Sequence, residues 1–188
     1  MRVLVGCEKS HRVAGAFRAK GHDAWSCDIL PCEIDTPYHI QDDVLKHLND
    51  GWDMAIFHPD CTRICNSGVR WLSERNLWDE MKQGALFFKK LKDAIIPKIA
   101  VENPIPHHYA IGIIGTKYDQ IIQPWWFGDA ETKATCLWLK GLPLLFPTHT
   151  KPEIIKQSVW REAPGVDRKA NRSRTFQGIA NAMANQWG

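Results

Sequence analysis

No stretch of this sequence approaches the roughly 18 consecutive apolar residues that a membrane-spanning helix needs, so no membrane partner is expected. The opening MRVLVGCEKS has too short an apolar run, and no small-residue cleavage site, for a signal peptide. A G-x-G-x-x-G turn of the kind that cradles a pyrophosphate is missing. Paired cysteine spacing is missing as well. The six cysteines, Cys7, Cys27, Cys32, Cys61, Cys65 and Cys136, fall mostly inside apolar segments, which suits a reducing cytosol and sets the expectation of a cytoplasmic protein. There is neither an internal repeat nor a low-complexity tract. What is present is an ordinary globular composition, 44% hydrophobic and 24% charged over 188 residues, which excludes disorder, collagen and coiled coil. A chain of 21.5 kDa buries about 70% of its extended surface on folding, enough for a full core without disulfide staples.

Charge is unevenly spread. From Lys151 to Gly188 seven basic residues (Lys151, Lys156, Arg161, Arg168, Lys169, Arg172, Arg174) face three acidic ones (Glu153, Glu162, Asp167). That leaves the closing quarter at +4 and the remainder at −1 of the total +3. A basic segment on a near-neutral body suits an anionic partner such as nucleic acid, although a solvated basic face gives the same count.

Short apolar runs alternate with amphipathic stretches through the first third. Arg2 to Val5, Asp23 to Cys27, Asp53 to Phe57 and Lys98 to Val101 read as buried strands. Between them, Val13, Ala14, Phe17 and Ala19 recur near helical spacing, Val44 to Leu48 can form a short helix, and Ser73 to Lys92 carries Leu77, Met81, Ala85, Phe88 and Leu91 on one face. Strand and helix in alternation predict βαβ crossovers and a parallel sheet, an α/β fold of Rossmann type in a single domain. After residue 105 the pattern changes. Gln120 to Phe127 and Ala134 to Leu139 read as strands, proline-rich loops follow, and Thr175 stands as N-cap of a last helix from Phe176 to Trp187. The expected organisation is a cofactor and catalytic half over residues 1–104, a small irregular insertion over 105–152, and a basic segment with a closing helix over 153–188.

Ligands of an open parallel sheet bind beyond the carboxyl ends of the strands, so the residues after each strand are the candidates. An acid about 20 residues after the first turn is how such folds hold ribose hydroxyls, and Asp28 stands there. Asp43 can accept from an adenine amino group. Together they outline an adenosine-containing cofactor, and S-adenosylmethionine, which has no phosphate, needs no glycine-rich cradle. Cys61 and Glu102 form the sharper pair. A thiolate adds readily to an electron-poor carbon such as C6 of a pyrimidine, provided that the ring is polarised at N3. A carboxyl group whose proton is retained by burial does that, and Glu102 ends the neighbouring strand. Arg63, Arg70 and His58 are near Cys61 in sequence as activating groups, and Trp125, Trp126, Phe127 and Trp138 could stack on a flipped base or fill a satellite core.

The order Asp28, Asp43, Pro59-Asp60-Cys61, Glu102-Asn103 resembles the motif order of the DNA cytosine-5 methyltransferases, above all the short phage-encoded members. The likeness extends through Glu131 to Leu139 and Arg172 to Asn181. It implies a class I methyltransferase sheet, with Gly6, Cys7, Glu8, Asp28, Ile29, Asp43 and Pro59 about S-adenosylmethionine. It implies Cys61 as nucleophile, Glu102 as the acid at N3 and at the amino group, Asn103 as a loop-positioning residue, and Lys133 and Thr135 near the basic motif behind the target base. Arg161, Arg168, Arg172 and Arg174 are then candidates for phosphate contacts on DNA, in the cytoplasm of the host cell if the gene is phage-borne. Three departures accompany the likeness. Asp60 stands where the family has proline, Lys9, Ser10 and His11 stand where its first motif has small residues, and 105–152 is too short for its target-recognition domain, which leaves room for a partner subunit in target recognition.

Other readings compete. His58, Cys61 and Cys65, with Cys7 or His107, could bind zinc, although the Cys-x3-Cys spacing is loose. His107-His108 reads as a loop pair. His58-Pro59-Asp60-Cys61 echoes the strand-end motif of amino-methyltransferases, where a neutral His could accept from an exocyclic amine in only one tautomer. A catalytically inactive module of the same shape, binding DNA or a protein, is the remaining alternative.

Overall fold

A computed structural model of the chain describes residues 1–165 and 168–188. Asp167, counted in the charge balance, lies outside the described residues, and so does the side chain of Lys169. Seven strands form one sheet: β1 (Arg2–Gly6), β2 (Asp23–Asp28), β3 (His39–Gln41), β4 (Met54–Phe57), β5 (Lys98–Pro104), β6 (Gln120–Ile122) and β7 (Thr135–Lys140), in the order β3-β2-β1-β4-β5-β7-β6. The first five are mutually parallel, and β7 runs antiparallel to both β5 and β6. This is the α/β architecture that the alternating pattern predicts.

Strand alternation divides the core in two. Val3, Val5, Met54, Ile56, Ala100 and Leu137 face one side, against α1 (Arg12–Arg18) and the last helix, α7 (Gln177–Trp187). Leu4, Ala55, Phe57, Ile99, Val101 and Cys136 face the other, against α3 (Trp78–Lys92) and α4 (His108–Ile114). Burial on both faces is why these strands read as near-continuous apolar runs.

Several expectations change. The helix expected over Ser73 to Lys92 is two, α2 (Arg70–Glu74) and α3, because Asn76 turns left-handed at φ 51° and interrupts the ladder. Met81, Ala85, Phe88 and Leu91 do form the buried face of α3. The strand expected over Gln120 to Phe127 stops at Ile122, since Pro124 opens a 3-10 turn over Pro124–Phe127. Strand β3 lies in what reads as a proline- and acid-rich loop. The last helix begins one residue later than expected, with Phe176 rather than Thr175 at the N-cap, and Thr175 is buried with its carbonyl accepting from Arg12. His107 is not a loop residue: its Nδ1 accepts from the Ala110 amide at 3.1 Å and caps α4. Residues 105–152 are more regular than their composition suggests, since α4, β6 and β7 come from them. Two short helices, α5 (Ser158–Arg161) and α6 (Arg168–Ser173), precede α7.

Candidate functional site at the carboxyl edge of the sheet

Strand register decides which residues meet. Phe57 pairs with Val101 in the parallel β4–β5 ladder, so the next residues, His58 and Glu102, emerge side by side. By alternation both continue the face of Ile56 and Ala100, towards α1 and α7, whereas Asn103 turns to the α3 and α4 face. His58 Nδ1 lies 2.8 Å from Glu102 Oε2, and the two side chains are only 9% and 8% exposed. Burial works to push the Glu102 carboxyl up, but the Lys133 ammonium and the hydrogen bond from His58 outweigh it and hold the carboxyl below its usual range. The expectation of a proton kept on Glu102 by burial is therefore corrected: in the unliganded chain it is a carboxylate. The opposite direction was expected because the sequence does not reveal that two cationic or donor groups converge on it. Glu102 also pushes up the thiol of Cys136, on β7, behind the effect of burial.

Cys61 begins a tight turn in which its carbonyl accepts from the amides of Ile64 and Cys65, both at 3.1 Å. The turn is tied to the segment after β5: Asn66 donates to the Ile105 carbonyl at 2.9 Å, and His107 Nε2 lies 2.9 Å from the Arg63 carbonyl. These bonds hold the turn against the segment that follows Glu102, whose charge bears on the Cys61 thiol. The Cys61 thiol is pushed up, first by its hydrogen bond with Cys65, then by burial and by the charges of Cys65, Asp60 and Glu102. Cys65 moves down as the acceptor in that bond, and Ser67 Oγ lies 3.1 Å from its sulfur. Among the described residues, no cation stands among the largest influences on the Cys61 thiol. Arg63 is turned to Glu80 of α3 at 2.8 Å, and Arg70 lies over the Trp71 ring at 4.2 Å. Asp60 caps the turn by accepting from the Thr62 amide at 2.7 Å.

The β1 end gathers acids. Cys7 adopts a left-handed φ of 60°, and its thiol is pushed up by burial and then by Asp28, Cys27, Asp43 and Asp60. Asp28 and Asp43 each spend one oxygen on a local amide, of Leu30 at 2.9 Å and of Leu45 at 3.0 Å. Glu8 is different. It is buried, and its oxygens accept from the Val13 and Ala14 amides at 2.7 and 3.1 Å, so it caps α1 instead of facing a cofactor. Gly6 is required by packing, since a Cβ there would lie 2.6 Å from both the Phe57 ring and Val44. Pro59 is buried between this end and Cys61, and Ile29 is 71% exposed.

The expected phosphate contacts separate. Arg161 is exposed at the end of α5 and Arg172 is half-buried. Arg168 keeps its Nε buried with no hydrogen-bond partner. Arg174 donates to Glu33 Oε2 at 2.8 Å, so its charge is spent inside the chain. Thr135 is buried and donates to the Lys133 carbonyl at 3.1 Å, which removes it from any solvent-facing role. Lys133 instead acts on Glu102 through its charge. Trp138 is buried with its ring 4.7 Å from Phe88, a core residue and not a stacking platform. Among the described residues, no group of three His, Cys, Asp or Glu side chains is placed to hold a metal ion. Two cavities, of about 390 and 220 Å³, open near Ile99 to Trp138 and near Pro106 to Tyr118, and neither is lined by Cys61 or Glu102. No helix among the described residues is long and apolar enough to cross a membrane.

Sequence reasoning missed two residues here. The sequence offers His58 as a neighbour of Cys61, a metal ligand or an acceptor for an exocyclic amine, and its link to Glu102 becomes readable once β4 and β5 are taken as parallel neighbours. Glu131 is buried and accepts from the Ser158 amide at 2.8 Å, fastening 156–158 beside Lys133, and nothing in its flanking sequence announced this.

No protein-family model matches the sequence, and no curated protein does. Solved structures match in fold. An E. coli prophage-encoded protein described as a DNA modification methyltransferase aligns at a TM-score of 0.54 and 17% identity, covering 85% of this chain and 54% of the other. Entamoeba histolytica methyltransferase EhMeth aligns at 0.49 and 12% identity, over 88% and 61% of the two chains. S. pombe Dnmt2 methyltransferase aligns at 0.49 and 14% identity, over 86% and 54%. The chain thus spans little more than half the length of these structures. What the likeness shows is the fold, a Rossmann-like sheet of methyltransferase type.

Proposed function

We propose that this chain transfers a methyl group from S-adenosylmethionine to C5 of cytosine in DNA, with Cys61 forming a transient bond to C6. The observation that carries the reading is the convergence of Cys61, Glu102, His58 and Lys133 on adjacent strand ends of a methyltransferase-type sheet. The acids around Cys7 fit the cofactor: Asp28 and Asp43 each retain an oxygen for ribose or adenine, and an acidic surround suits a sulfonium cation and has no use for a phosphate. Glu8 has no such role. The cofactor supplies the electrophilic methyl group.

The protonation states of the resting chain bear on the mechanism. The proton sits on Cys61 while Glu102 is ionised, whereas addition to C6 needs the sulfur ionised and N3 of the ring protonated. One proton moved from Cys61 to N3 satisfies both needs, and Glu102 is the group available to carry it. Lys133 and His58 keep Glu102 ionised until then. Once the methyl group is on C5 and the demethylated donor is released, the C5 proton leaves to a base, the Cys61–C6 bond breaks and N3 returns its proton, so that cysteine and aromatic ring are restored. The target base must leave the duplex, because C6 is inaccessible in the stack. The exposed Arg161 and half-buried Arg172 are the remaining candidates for backbone contacts.

Titration calorimetry with S-adenosylmethionine, followed by transfer of labelled methyl groups to DNA, tests the reading. Binding of the cofactor and loss of label in Cys61→Ser are expected. Binding without transfer to any DNA would favour the inactive module instead. That alternative has an observation of its own: Asp60 beside Cys61 opposes thiolate formation.

A further inference from the structure

His58 has one nitrogen engaged and one left over. Its Nδ1 lies 2.8 Å from Glu102 Oε2, while Nε2 is sealed from solvent with no hydrogen-bond partner. A carboxylate has no proton to offer, so Nδ1 is the donor, and in the neutral imidazole Nε2 then carries a lone pair. An unmet acceptor in so buried a place is costly to the fold. The other titratable groups converging here are Lys133, Cys61 and Cys136, each electrostatically linked to Glu102. An atom kept unpaired beside a reactive cluster is positioned for a ligand donor. The only donor on the pairing edge of cytosine is its exocyclic amine, and uracil presents a carbonyl oxygen there instead.

We infer that His58 is a specificity-determining residue whose Nε2 accepts a hydrogen bond from the exocyclic amino group of the target cytosine, in the tautomer set by Glu102. The inference rests on the proposed methyl transfer and adds to it a second group, beside Glu102, that separates cytosine from uracil. A site built around an acceptor rejects the analogue that lacks the donor, since two lone pairs then face each other.

Two substitutions separate the nitrogens. His58→Asn sets an amide near the position of Nδ1, retaining the donor to Glu102 but removing the acceptor. His58→Gln reaches the position of Nε2 with its carbonyl oxygen and restores an acceptor. Labelled methyl transfer is measured on heat-denatured genomic DNA and on the same DNA deaminated with bisulfite, where uracil replaces cytosine. The wild type is expected to prefer the untreated DNA at least tenfold, His58→Asn to lose about tenfold of that preference, and His58→Gln to regain most of it, with unchanged affinity for S-adenosylmethionine in both. Melting temperatures report folding, and if only one variant folds, its preference decides alone: retained for Asn, or lost for Gln, overturns the inference. A preference unchanged in His58→Asn while Cys61→Ser abolishes label overturns the role of His58 and leaves the methyl-transfer reading standing. Label that survives Cys61→Ser overturns the covalent reading, and the ratio between the two DNAs still decides the role of His58. A wild type that labels neither DNA overturns both.

Discussion

Arg174 and Glu33 are joined at 2.8 Å across 141 positions of sequence. The contact anchors the basic closing segment to the loop after β2, and Lys9 from the β1 loop reaches the same carboxylate at 3.3 Å. The hydrogen bond from Arg174, ahead of the opposing effect of burial and helped by Lys9, holds the Glu33 carboxyl below its usual range.

A depressed carboxyl stabilises the fold above its unfolded pKa, and the contribution is lost as pH falls through the folded value. Arg174→Ala is therefore expected to cost at most about 1 kcal/mol at pH 7, the side chains being 32% and 23% exposed. That cost should shrink as pH falls through the lowered range of the Glu33 carboxyl. Urea titrations at pH 7 and pH 3 test this, and an equal loss at both would show that Arg174 acts through packing. DNA affinity should change less than in Arg161→Ala, since the Arg174 charge is already neutralised.

Cys61 should be the slow thiol. Alkylation by iodoacetamide follows the thiolate fraction, and the largest cause raising the Cys61 thiol is its bond with Cys65. Cys65→Ser is expected to speed modification of Cys61 severalfold at pH 8, read by mass spectrometry of the intact chain and its peptides. An unchanged rate would mean that Asp60 and burial alone set its reactivity.

Lys133→Met removes the charge that, more than any other group, counters the burial of Glu102. We expect a loss of about 1–3 kcal/mol at pH 7. The difference from wild type should narrow as pH falls through the carboxylate range, because the lost contribution belongs to the ionised form. A variant as stable as wild type at pH 7 would place Lys133 in solvent. Arg161→Ala, in contrast, should leave stability within about 0.5 kcal/mol and reduce the salt slope of DNA binding by about one if it contacts a phosphate.

Gly6→Ala pushes a methyl group against Phe57 and Val44, each 2.6 Å from the new atom. Overpacking of this kind costs about 1–3 kcal/mol, visible as a lower urea midpoint with an unchanged slope. Wild-type stability with impaired binding of S-adenosylmethionine would instead return Gly6 to the cofactor site.

The parallel half of the sheet was legible because buried strands such as Met54–Phe57 are solid apolar runs and α3 carries its apolar face at helical spacing. Strand β3 was not, being three residues on an edge with no alternation to read. Neither was the break at Asn76, where one left-handed residue outweighs a continuous apolar stripe. At the site, residue identities were readable and their charge states were not. Proximity of Cys61 and Glu102 followed from adjacent strand ends, but the directions of their proton equilibria depend on Lys133, His58 and Cys65, whose positions come from tertiary contacts. Glu8 and Thr135 show the same gap: their positions fitted a site, and their hydrogen bonds went to the backbone.

One strand running against the rest also decides what reaches the reactive edge. In a parallel strand at that place the tail would arrive beside Pro104, followed by the proline-rich stretch after residue 140. Because β7 is reversed, its head arrives there instead, with Thr135 opposite Pro104. The loop that feeds into the strand, carrying Glu131 and Lys133, is thereby delivered to the cluster, and the proline-rich stretch is carried to the far side. Polarity of a single ladder thus selects which of two neighbouring loops supplies the ammonium that Glu102 needs.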